Sequence, residues 1–217
     1  MLSFSLEQLI LSTQKNKMKK IILALCFLGF LQANAQVTFK PGIHAGMNIS
    51  KLSGIDIPSK TDFFAGVFGE IKFSKKYALQ PEITYSRQGA KGDYTYSPSY
   101  SSGNTYSNNV NISLQYISLS INNKILLFDD LYLLLGEFND FIVVGKIYEN
   151  DSSTISKGQD IDYGLFGGFE YSITKEFAVD VRFKKGLADA LDDHTGFESK
   201  ITNQAFQIGA SYTFGKK

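Results

Sequence analysis

The sequence predicts an all-β fold: an eight-stranded antiparallel up-and-down transmembrane β-barrel, preceded by a signal-peptide helix. Three observations lead there. Extended segments of about ten residues alternate apolar and polar side chains, the gaps between them alternate short and long, and the polar faces carry charges of both signs.

The alternation is plainest in 161–184. Tyr163, Leu165, Gly167, Phe169, Tyr171 and Ile173 fall on one face, with Gly164, Gly168, Glu170 and Ser172 on the other; Phe166 is the one large exception. After Thr174, Lys175 and Glu176 the period resumes, with Phe177, Val179, Val181 and Phe183 against Ala178, Asp180, Arg182 and Lys184. A soluble sandwich turns such an apolar face inward, whereas a membrane barrel turns it to lipid and its charges to the lumen.

Composition suits strands and turns: 19 Gly, 12 Tyr and 18 Phe with only 4 Pro in 217 residues. The formal net charge of +1 gives no electrostatic basis for binding nucleic acid. Cys26 is the single cysteine, so disulfides and thiolate metal sites are excluded. It sits in a leader with three parts: Met18-Lys19-Lys20, the apolar run 21–32, and the small-x-small site Ala33-Asn34-Ala35. That run is shorter than the roughly 20 residues needed to span a bilayer. Residues 1–17 read as an over-long start without function, 18–35 as the signal peptide, and 36–217 as one barrel domain beginning at Gln36.

In order, the expected strands are Phe39–Leu52, Phe63–Phe73, Tyr77–Gln88, Asn111–Phe128, Leu131–Tyr148, the hairpin around 174–176, and Thr202–Phe214. Pro81 predicts a bulge, because it cannot donate to a ladder. A one-residue bulge near Tyr116 and Ile117 is expected to shift the phase of the fourth strand. Ser74-Lys75-Lys76, Asp129-Asp130 and Thr174-Lys175-Glu176 are the tight turns, and Gly89–Val110 is the longest gap. Short turns on one side and long loops on the other match small outer-membrane barrels. The face away from lipid holds Lys40, His44, Glu70, Lys72, Glu82, Lys124, Glu170, Asp180 and Arg182. These charges argue against the apolar cup of a soluble lipocalin-like barrel.

The stretches FKPGIHAGMNISKLSG, LQYISLSINNKILLF, LYLLLGEFNDFIVVGK and AFQIGASYTF resemble the PorT-like porin family of outer-membrane β-barrel proteins, over roughly 37–215. The resemblance implies an eight-stranded barrel in the outer membrane of Gram-negative bacteria, and no catalytic signature.

Three clusters are candidate sites. The inward charges form a lumen network that plugs the barrel, since eight strands leave an interior that side chains fill. Tyr94, Tyr96, Tyr100 and Tyr106, among Ser, Gly and Asn, suit recognition by an external loop. Asp189, Asp192, Asp193 and His194 form an acidic loop that could activate water or hold a divalent ion, without a second matching cluster. The expected role is structural or interactive, carried by the external loops, with outer-membrane lipid and lipopolysaccharide around the barrel and a protein or glycan partner above it. No cofactor, no catalysis and a monomer are expected. The rival readings are a rim-located membrane hydrolase or acyltransferase and a narrow channel.

Overall fold

The computed structural model describes residues 37–54, 56–96, 106–149, 152–155, 161–188 and 201–215; the expected leader and the acidic stretch 189–194 lie outside them. The strands are β1 (Thr38–Ser53), β2 (Lys60–Lys72), β3 (Tyr77–Tyr96), β4 (Tyr106–Phe128), β5 (Leu131–Glu149), β6 (Ser152–Ile155), β7 (Ile161–Ser172), β8 (Phe177–Gly186) and β9 (Thr202–Thr213). All but the four-residue β6 form a closed ring, each strand antiparallel to its neighbours, with β9 pairing back onto β1. Closure leaves no edge within the wall.

The register fixes the shape of the ring. Paired residues lead from Phe39 through Ile71, Leu79, Asn123, Leu135, Gly167, Phe183 and Phe206 back to β1 at Ile49, ten residues further along. A stagger of that size over eight strands requires a strand tilt of about 40°.

Local chemistry builds the tight turns. Thr174 Oγ1 accepts from the backbone N–H of Glu176 (3.2 Å) and Phe177 (3.0 Å), and Ser74 Oγ accepts from Lys76 N–H (3.2 Å). Asp129 adopts φ 46°, a left-handed conformation that Asp tolerates.

The wall is inverted relative to a soluble protein. Met47, Val67, Ile83, Leu119, Phe169, Val181 and Ile208 are exposed, whereas Asn48, Asn122, Asp140, Glu170 and Arg182 are buried. That arrangement is stable only with hydrocarbon outside.

Three sequence expectations are corrected. First, β4 keeps one phase throughout: Ile112, Leu114 and Tyr116 point inward together with Ser118, Ser120, Asn122 and Lys124. The bulge lies on the partner strand. Gln115 pairs with Val144 and Tyr116 with Ile142, so Val143 of β5 is the extra residue. In the sequence, an apolar stretch on the inward face is indistinguishable from a change of face. Second, Pro81 interrupts the β2–β3 ladder, whose pairs resume in the same register beyond it; no residue is inserted. On its other side Pro81 pairs with Ile121 without a shift. Third, Gly89–Val110 is largely strand, since β3 and β4 stay paired out to Tyr96 and Tyr106. These arms rise roughly 20 Å beyond Gly89 at about 3.3 Å per residue. With the end of β5 and β6 they make a four-stranded extension at the outer end of the barrel.

Val181 faces outward on β8 near the middle of the apolar belt, between Phe169 and Ile208 on its two neighbours. Arg at this position is expected to lower the unfolding free energy in vesicles by about 2–4 kcal/mol. Leu there should stay within about 0.5 kcal/mol of wild type. Equal effects of the two substitutions would mean that this wall does not contact hydrocarbon.

Candidate functional site: the barrel lumen

Because side chains alternate along each strand, the inward positions of eight strands stack into tiers. Nearest the short turns, Lys124 of β4 is held between Glu70 of β2 (2.7 Å) and Glu170 of β7 (2.8 Å). Below them lies an open vestibule of about 540 Å³, lined in part by Lys40, Lys72, Lys124 and Tyr132. Lys40 and Lys72 are only half-buried there. They belong to the mouth rather than to the closed part of the lumen.

In the middle tier Arg182 of β8 reaches across the barrel to Glu82 of β3, Nη1 to Oε2 at 2.8 Å, while its Nε donates to Asp180 (2.8 Å). In the ring β3 and β8 are four strands apart in either direction, so this pair spans the diameter. Glu82 also accepts from Gln80 Nε2 (2.9 Å) and Ser120 Oγ (3.2 Å). His44 Nε2 lies 2.8 Å from Thr84 Oγ1, with its ring edge-on to Phe64 and Phe68. Lys184 pairs with Asp140 at 3.2 Å and sits 4.0 Å from the Phe138 ring centroid. A cavity of about 20 Å³ remains between His44, Glu82, Phe166 and Arg182, room for a single water and far too little for a pore.

Four inward aromatics fill the space beside these charges. Phe68 lies over Gly42 and Phe166 over Gly136, at separations that a Cβ on either glycine would violate. Arg182 in turn lies 5.5 Å from the Phe166 centroid. The inward glycines are thus receptacles for rings from the directly paired residue of the neighbouring strand.

Toward the outer end, amides replace ions. Gln207 donates to Asn48 (2.7 Å), Asn203 to Gln88 (2.6 Å), and Gln88 to Asp140 (3.2 Å). Above them Leu52, Ala90, Ile112, Leu114, Tyr116 and Ile201 form a buried apolar cluster. Asn48, Lys184 and Gln207 fall on the polar face of the alternation without standing among the candidate site residues, and Gln88, Asp140 and Asn203 follow from neighbouring inward residues by the same period. Phe64, Phe68 and Phe138 contradict the polarity of their face and carry no such signal.

The recognition tyrosines are only partly accounted for. Tyr96 pairs with Tyr106 and Tyr94 with Asn108 along the external arms, and Tyr100 lies outside the described residues.

The outer membrane protein beta-barrel domain family matches residues 21–214, nearly the whole chain. The protein belongs to this family of outer-membrane barrels. Among solved structures, Neisserial surface protein A (NspA) is 14% identical, with 80% of this chain and 97% of that one covered at a TM-score of 0.53. The likeness lies in the fold. Ail, the attachment invasion locus protein of Yersinia pestis, is 12% identical over 81% and 98% of the two chains, at a TM-score of 0.47. No curated protein matches.

In this outer-membrane barrel Lys124 neutralises two carboxylates at once. Lys124→Met should leave both uncompensated and cost about 3–5 kcal/mol in unfolding experiments, less where vestibule water reaches them. Lys75→Met, on an exposed turn, serves as the control and should change stability by less than about 0.5 kcal/mol. Comparable small losses from both variants would show that the network carries no structural weight.

Proposed function

We propose that the barrel is a closed membrane anchor, in the PorT-like branch of its family, that holds its external extension above the outer leaflet for contact with a partner. The observation that carries this reading is the Arg182–Glu82 pair bridging the lumen, with Phe166 and Phe64 beside it, Phe68 against His44 and Phe138 against Lys184. A conducting path would need these side chains to part. Alternating positive and negative groups along the lumen also give it no single-sign lining of the kind used by charge-selective pores.

The lumen network of Lys40, His44, Glu70, Lys72, Glu82, Lys124, Glu170, Asp180 and Arg182 acts as a plug rather than as a catalytic set. Its cationic groups in the closed tiers are engaged by carboxylates, which removes them from acid-base work. Recognition falls to the β3–β4 arms and their tip, where Tyr94, Tyr96, Tyr100 and Tyr106 offer amphipathic contact to a protein, a glycan or the saccharide surface of lipopolysaccharide. Export through the leader at 18–35, with a mature N-terminus at Gln36, completes the reading.

Purified protein in planar bilayers should show no steady ion conductance. Arg182→Ala together with Phe166→Ala should open measurable current, because both the charge bridge and the ring beside it are removed. Reproducible conductance steps from the wild type would overturn the closed-anchor reading.

A further inference from the structure

The lipid-facing wall holds two polar side chains that its own chain does not satisfy. Glu137 and Asn139 both point outward from β5 and are exposed. Glu137 lies between Ile121 and Leu165 on the neighbouring strands, and Asn139 between Leu119 and Tyr163, four side chains of the exposed apolar belt. Three other polar side chains on the outer wall, Asn123, Gln115 and Arg87, are paired within the protein. Asn123 accepts from Tyr77 Oη (2.8 Å) and donates to the Leu135 carbonyl (3.0 Å), Gln115 accepts from Tyr85 Oη (2.6 Å), and Arg87 meets Asp62 (3.3 Å). Neither Glu137 nor Asn139 makes a hydrogen bond to any described residue. Acyl chains offer none either, and a polar group left without a partner in hydrocarbon is unfavourable.

We propose that this strip of β5 is a dimer interface for a second copy of the same chain. A two-fold axis along the membrane normal keeps each residue at its own depth and brings two identical walls face to face. Glu137 supplies a hydrogen-bond acceptor and Asn139 a donor, two residues apart on one face. Across the axis the Asn139 amide of each copy donates to the Glu137 carboxyl of the other, so the two bonds form reciprocally. A wall carrying only acceptors would not be self-complementary; this one is. Next to the pair the outer surface is hollowed over Gly69, Pro81 and Ile121, a depression of about 520 Å³ that gives a second wall room to approach. The interrupted ladder at Pro81 lies in its floor. Polar side chains are a recognised source of association between membrane segments, and small residues permit close approach. On this proposal the protein is a dimer closed through β5, where the sequence reading expects a monomer.

The test is disulfide cross-linking in native outer membranes. Leu135→Cys and Phe141→Cys place a thiol on the same face on either side of the pair, in a chain whose one cysteine is Cys26 in the leader. Met47→Cys on β1, four strands away on the opposite wall, is the control. Mild oxidation should give a band of twice the monomer mass from Leu135→Cys or Phe141→Cys and none from Met47→Cys. The band should be lost when Glu137→Leu and Asn139→Leu are added, while heat-modifiable gel migration shows that the barrel still folds. Four results would each overturn the proposal: no cross-link at either β5 position, equal cross-linking from Met47→Cys, a dimer band that survives the double substitution, or adducts of a mass other than twice the monomer.

Discussion

The contact on which the rest of the barrel depends is the ion pair that crosses it. Arg182 and Glu82 stand 100 residues apart in sequence and on opposite walls, and they meet only because the ring closes with a ten-residue stagger. A stagger changed by two residues would set Arg182 against Gln80 or Thr84 of β3, and Glu82 against Asp180 or Lys184 of β8. Such buried pairs are weak sources of net stability, because desolvation offsets much of the attraction. Their force is in discrimination: an alternative register strands charges in a confined interior. We read the lumen network as what holds the register of a wall whose outer face, apolar over most of its belt, discriminates little.

The aromatic and glycine pattern serves the same end by different physics. Inward rings and inward glycines are matched across strands, as with Phe68 over Gly42 and Phe166 over Gly136. Each ring therefore packs well in one register and clashes or leaves a gap in its neighbours. Ionic pairing and shape matching are interleaved at the same depth, with Arg182 lying against Phe166 and Lys184 against Phe138. At the outer end the apolar cluster around Leu114 and Tyr116 takes over, so the lumen passes from charged to amide-lined to apolar.

Strand number, turn positions and the lipid-facing phase were legible in the sequence because each is a local signal: a period of two, a Ser-Lys-Lys or Thr-Lys-Glu turn, a run of Phe and Val. The pairing partners were not legible, since alternation places Glu82 and Arg182 inward without saying that they share a level. Polarity also misleads wherever the lumen turns apolar. Ile112 and Leu114 looked like lipid-facing residues and required an imagined phase shift, when the face had not changed. Pro81 looked like a bulge because a missing donor and an inserted residue leave the same mark in a sequence. Glu137 and Asn139 passed unnoticed for the converse reason: two polar residues in a polar-apolar alternation look like lumen residues until the register shows which way they face.

A double-mutant cycle on Glu82 and Arg182, read by unfolding in lipid vesicles, tests most directly whether the lumen charges act as one closed network. Glu82→Gln and Arg182→Met should each destabilise the barrel strongly. The double variant should lose far less than the sum of the two, with a coupling energy near the upper end of the roughly 0.5–3 kcal/mol seen for contacting residues. Additive losses, with a coupling energy near zero, would contradict the account.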